Sequence, residues 1–124
     1  MRIIPTSIHG IMDYLIAVLL IAAPWLLGFY RGGIESFIHI GAGMIILIQA
    51  LLTRNETGAV KMIPMPAHIM SDLAIGLLLA LSPWLFFFHD YIWEPHFIVG
   101  LLITGQAILT KMTPATVHRT EPRY

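Results

Sequence analysis

His9 and Asp13 stand four residues apart, and so do His68 and Asp72. On a helix that spacing puts an imidazole and a carboxylate on one face, within contact range. Gln49 and Gln106 each fall about one turn from the end of an apolar stretch, at a depth comparable to the two aspartates. A layer of two His, two Asp and two Gln can therefore be drawn across one half of a helical bundle. Four chemistries suit such a layer. It can be a hydrogen-bonded clasp that fixes helix register, a path for protons or ions through the carboxylates, a divalent-metal site, or part of a bis-histidine haem site. The haem would use His9 with His68 or His39 with His96. Against it, Asp13 competes for the first pair, and the second pair sits close to water if both residues open their helices. The clasp is the reading adopted, with no catalytic residue, metal or other cofactor assigned.

These side chains need a scaffold, and composition restricts what it can be. The chain has 124 residues, 57% of them hydrophobic and only 11% charged, which lies outside the range of ordinary water-soluble domains. A hydrocarbon core of about 30 Å needs roughly 20 helical residues. Apolar stretches near that length occur at 6–27, 36–53, 66–87 and 95–110. Four transmembrane helices are expected, in an all-α membrane protein. Arg2 ahead of an apolar run, with Ala22 and Ala23 behind it, imitates a secretory signal. The apolar region is too long for one, Pro24 sits at the cleavage position, and an internal near-copy at 66–87 shares the pattern, so the first span is read as retained. The absence of cysteine excludes thiol-disulfide exchange, thiolate metal sites and cysteine-ligated clusters. A formal net charge of zero offers no basic face for nucleic acid.

A shift of 59 positions lays Ile4-Pro5 on Ile63-Pro64, His9 on His68, Asp13 on Asp72, Pro24-Trp25-Leu26 on Pro83-Trp84-Leu85, and Phe29 on Phe88. With two residues fewer in the outer loop the register becomes 57. His39 then falls on His96, Gly43 on Gly100, Gln49-Ala50 on Gln106-Ala107 and Thr53 on Thr110. The expected organisation is a first two-helix repeat at 1–57, a second at 58–112 and a C-terminal tail at 113–124. Each repeat returns the chain to its starting side, so the copies should be parallel in orientation, related by a pseudo-twofold axis along the membrane normal. Ser82-Pro83-Trp84 near the end of the third span, answered by Ala23-Pro24-Trp25 in the first, resembles the motif of the SPW-repeat family of small prokaryotic membrane proteins. The resemblance covers nearly the whole chain apart from the tail. It implies the two-hairpin architecture and supplies no catalytic residues.

Pro24 and Pro83 should kink or stop the last turn of their helices, leaving Trp25 and Trp84 at headgroup depth. Eleven of the thirteen aromatic residues gather toward that end, among them Phe29, Tyr30, Phe88, Tyr91 and Trp93. They mark an expected surface for lipid or a partner. The four span histidines should occupy first helical turns if Thr6, Ser36, Met65 and Glu94 act as caps. Gly41, Ala42, Gly43, Gly76, Gly100 and Gly105 should permit close helix approach, within the bundle or between protomers. The tail should be mobile. Arg2, Arg54, Lys61, Lys111, Arg119 and Arg123 share one side and only Arg31 lies on the other, so both termini are expected to be cytoplasmic in the prokaryotic inner membrane. The expected role is structural or accessory, with membrane lipid and a membrane-protein partner or second copy as contacts and no nucleic acid. A small transporter or a haem- or metal-bearing redox protein using the His/Asp/Gln layer is the alternative.

Overall fold

The structure is a computed structural model describing residues 2–113. The tail beyond Thr113, with Arg119, Arg123 and Tyr124, lies outside the described residues. Among the described residues there are four helices: α1 (Thr6–Leu26), α2 (Ile34–Leu51), α3 (Met65–Leu85) and α4 (Glu94–Leu109). By length and composition α1, α2 and α3 can each cross a membrane; α4 is apolar but shorter, at 16 residues. Burial is arranged as lipid requires. Leu15, Val18, Leu19, Ile45 and Ile48 face outward, while His9, Asp13, Gln49, His68, Asp72 and Gln106 are buried. A bundle in water would do the reverse, because ionisable groups in hydrocarbon must find partners inside the protein.

α1 packs along α2, α3 along α4, and α2 meets α3. Each hairpin closes at a point without a side chain. A Cβ on Gly43 would lie 2.8 Å from the Ala17 carbonyl oxygen, and one on Gly100 would lie 2.4 Å from the Ala80 nitrogen and 2.6 Å from the Gly76 oxygen. Gly41 and Gly105 meet nothing, so the expectation of close packing fails at these two within the bundle. Above the polar layer the core is aliphatic, built from Ile16, Ala17, Leu20, Ala42, Ile46, Leu79 and Ile103.

The helix starts differ from expectation. Pro5, Gly33, Pro64 and Trp93 occupy the N-cap positions and no side chain caps any helix. Thr6, Met65 and Glu94 are the first helical residues, and α2 begins two residues before Ser36. His39 therefore stands in the second turn. At the other helix ends the prolines act as foreseen. Pro24 lies in the last turn of α1, and its carbonyl accepts both the Phe29 and the Tyr30 N–H at 2.9 Å; the Pro83 carbonyl accepts those of Phe88 and His89 at 2.9 Å. The chain turns back through a left-handed residue in each case, Gly28 at φ +72° and Phe87 at φ +60°.

At the opposite end, Ile4 bridges Thr110 and Ile63 bridges Thr53, both in parallel. Arg2 donates to the Ala107 and Thr110 carbonyls at 3.0 and 2.8 Å, placing a cation at the negative end of α4. The connector between the hairpins folds over this end. Tyr14 donates to the Thr57 carbonyl at 2.7 Å, and the buried Asn55 accepts from the Gly58 N–H at 2.9 Å.

Candidate functional site

Asp13 and Asp72 lie in the third turns of α1 and α3, with His9 and His68 one turn nearer the connector end. The i,i+4 contacts exist, His9 Nε2 to Asp13 Oδ2 at 3.1 Å and His68 Nε2 to Asp72 Oδ2 at 3.1 Å. The shorter contacts cross between hairpins: His9 Nε2 to Asp72 Oδ2 at 2.8 Å and His68 Nε2 to Asp13 Oδ2 at 2.7 Å. Two nitrogens and two oxygens thus alternate round a closed ring. The four residues are at most 3% exposed.

The outer oxygens of the carboxylates are held as well. Gln106 Nε2 donates to Asp13 Oδ1 at 2.9 Å, and Gln49 Nε2 donates to Asp72 Oδ1. All six residues drawn into one layer from the sequence therefore meet. Two more belong with them. His9 Nδ1 lies 2.6 Å from Thr110 Oγ1, and His68 Nδ1 contacts Thr53 Oγ1. Each hydroxyl also reaches the carbonyl four residues back, Thr110 to Gln106 at 2.6 Å and Thr53 to Gln49. The repeat aligns Thr53 with Thr110, and that was the available signal. Two threonines at helix ends give no indication that they reach across to the other hairpin.

The threonines fix the histidine tautomers. A hydroxyl has one proton, and a carbonyl can only accept. Each threonine therefore donates to its glutamine carbonyl and accepts from imidazole, so Nδ1 carries a hydrogen and Nε2 is the nitrogen turned toward the carboxylates.

His39 and His96 meet near the other end of the bundle, with ring centroids 4.7 Å apart and edge to face. They are 1% and 0% exposed. Phe29 and Phe88, expected to join an aromatic surface, turn inward instead and cover them: Phe29 lies 5.4 Å from each ring and Phe88 4.8 Å from His96. The expectation that this pair sits close to water is therefore overturned, and the packing leaves no slot for a haem between the rings. His96 Nε2 donates to the Glu35 carbonyl at 2.7 Å, while His39 Nε2 and His96 Nδ1 have no hydrogen-bond partner among the described residues. Trp25 and Trp84 stay exposed, Trp25 stacked on Tyr30 and Trp84 on His89.

The SPW repeat domain model matches residues 7–110. The chain belongs to the SPW repeat family. No curated protein and no solved structure matches it. The structure gives the SPW tripeptide a physical meaning. A proline inside a helix leaves the carbonyl four residues back without its N–H donor. In the SPW motif of α3 that carbonyl is Leu79, and the Ser82 hydroxyl donates to it at 2.7 Å. In α1 the serine is replaced by Ala23 and the freed carbonyl is Leu20, where His39 Nδ1–H donates at 2.9 Å. The serine of the motif thus repairs what its proline breaks, and the imperfect copy borrows a histidine from the neighbouring helix.

Proposed function

We propose that this SPW repeat protein is a structural or accessory protein of the prokaryotic cytoplasmic membrane, whose two hairpins are clasped by the buried His/Asp/Gln/Thr ring. One observation carries the reading. Every member makes a bond that joins the first hairpin to the second: His9 to Asp72, His68 to Asp13, Gln106 to Asp13, Gln49 to Asp72, and each histidine to a threonine of the other hairpin. A network confined to one helix would stabilise that helix; this one specifies which hairpin pairs with which, and at what depth. Contacts in matched pairs, Ile4–Thr110 with Ile63–Thr53 among them, favour the two copies lying about an axis along the membrane normal. α4 then spans with its partners, and both termini lie on the cytoplasmic side with the basic residues. The exposed Trp25, Tyr30, Trp84, Phe87 and Trp93 at the outer end suit lipid headgroups or a membrane partner.

The test compares Asp13→Asn with Asp13→Leu in the purified full chain. The amide keeps a hydrogen-bonding shape and the fold should persist, whereas leucine strands His68 and Gln106 and should lower stability by about 1–3 kcal/mol. Equal melting temperatures for Asp13→Leu and the wild type would remove the clasp.

A further inference from the structure

We propose that the crossed ring of His9, Asp13, His68 and Asp72 is a site for one divalent transition-metal ion, with zinc the ion its donors suit. The argument is a count of protons and charges. With both Nδ1 hydrogens donated to Thr53 and Thr110, the two Nε2 atoms are the ones that can offer lone pairs to a cation, and the two Oδ2 atoms offer lone pairs and negative charge. Four such atoms lie at successive separations of 2.7–3.1 Å, all within 4.8 Å of one another. Left without a proton or cation, the ring would hold two negative charges inside a membrane-embedded bundle and set acceptor against acceptor on every edge. Either two protons or one divalent cation removes both faults and brings the net charge to zero. Two protons, one on each Nε2, serve the two short edges at 2.7 and 2.8 Å and leave the two 3.1 Å edges with only the weaker arm of a shared bond. A cation at the centre serves all four donors at once.

The rest of the site matches what a metal requires. Two imidazole nitrogens and two carboxylate oxygens form a donor set used by zinc, at bond lengths of about 2.0–2.2 Å. A tetrahedron with such bonds separates all six donor pairs by about 3.3 Å, so the four edges would open by a few tenths of an ångström and the two diagonals, within 4.8 Å, would adjust to the same separation. Metal-bound histidines characteristically donate their other N–H to a fixed acceptor, and bound carboxylates are themselves hydrogen-bonded. Thr53, Thr110, Gln49 and Gln106 supply all four of these supports. The ion would occupy the clasp without replacing it, so the inference rests on the ring and not on the accessory role.

The experiment uses the full chain in detergent, stripped with a chelator, returned to neutral pH and titrated with Co2+ and then Zn2+. The expected result is one Co2+ per chain, a visible absorption band from a four-coordinate site, displacement by Zn2+, and release of two protons per ion. The protons are counted from binding heats in two buffers of different ionisation enthalpy. His68→Gln should weaken binding at least tenfold, and His89→Ala, in the exposed loop, should leave it unchanged. No saturable binding by folded wild-type protein, even with Zn2+ supplied during expression, would overturn the inference. So would binding without proton release, or binding indifferent to His68→Gln. If His68→Gln fails to fold, the proton count on the wild type decides alone. A wild type that binds no metal while Asp13→Leu still destabilises would leave the clasp standing and sink the metal site; metal binding with a neutral Asp13→Leu would do the opposite.

Discussion

His39 Nδ1–H is donated to the Leu20 carbonyl at 2.9 Å, the acceptor that Pro24 leaves without an N–H partner four residues on. Leu79 and Pro83 stand in the same relation, and there Ser82 provides the donor. His39→Leu should therefore cost about 1–3 kcal/mol by stranding a buried carbonyl. Ala23→Ser should restore a donor in place, as Ser82 does. The double variant should recover much of the loss, and the measure is the non-additivity of the melting temperatures. Strict additivity would mean that His39 does not serve the carbonyl freed by Pro24.

Gly43 and Gly100 can be tested against Gly41 and Gly105. Gly43→Ala and Gly100→Ala each press a methyl onto the backbone of the neighbouring helix and should cost about 1–3 kcal/mol or more. Gly41→Ala and Gly105→Ala meet open space and should be neutral or slightly stabilising, since alanine is the better helix former. Unfolding in detergent, followed by circular dichroism, separates the two groups.

The two glutamines should differ although the repeat makes them equivalent. Gln49 Oε1 accepts from Ser71 at 2.7 Å, whereas Gln106 Oε1 is buried without a partner among the described residues, Met12 occupying the place equivalent to Ser71. Gln49→Leu abandons Asp72 and the Ser71 hydroxyl, whereas Gln106→Leu abandons Asp13 and only a long 3.4 Å contact to the His9 carbonyl. The first should be the more destabilising by about 1 kcal/mol. Thermal unfolding of the two single variants ranks them directly.

Phe87 adopts a left-handed backbone at φ +60° where the first copy has Gly28. Its side chain is 86% exposed, so few intramolecular contacts compensate. Phe87→Gly should raise stability by about 1 kcal/mol, and Gly28→Phe should lower it by a similar amount. Opposite shifts in melting temperature are the expected result.

For topology, the absence of cysteine makes single-cysteine labelling clean. Gly58 is unsuited, because a Cβ there would lie 1.9 Å from the Thr53 carbonyl oxygen. Exposed Val60 and Asp90 mark the two ends instead. An impermeant thiol reagent should label Asp90→Cys in intact cells and Val60→Cys only after permeabilisation. The reverse pattern would invert the orientation.

Sequence alone determined the all-helical membrane class and the four helices to within about two residues at each end, because hydrophobicity and proline are local or periodic signals. It also brought the six polar residues to one depth, since depth along a helix is simply residue number times rise. The partners at that depth were decided by tertiary structure. The i,i+4 rule pairs His9 with Asp13, but the hairpins come close enough that the shorter contact is to Asp72, and Thr53 and Thr110 reach histidines of the opposite hairpin. Composition placed Phe29 and Phe88 with the outer aromatics. Two N–H groups converging on each proline carbonyl turn the chain back, and that turn carries both rings inward over His39 and His96. A turn's direction depends on how non-adjacent backbone groups satisfy one another, and this is fixed only when the helices have packed.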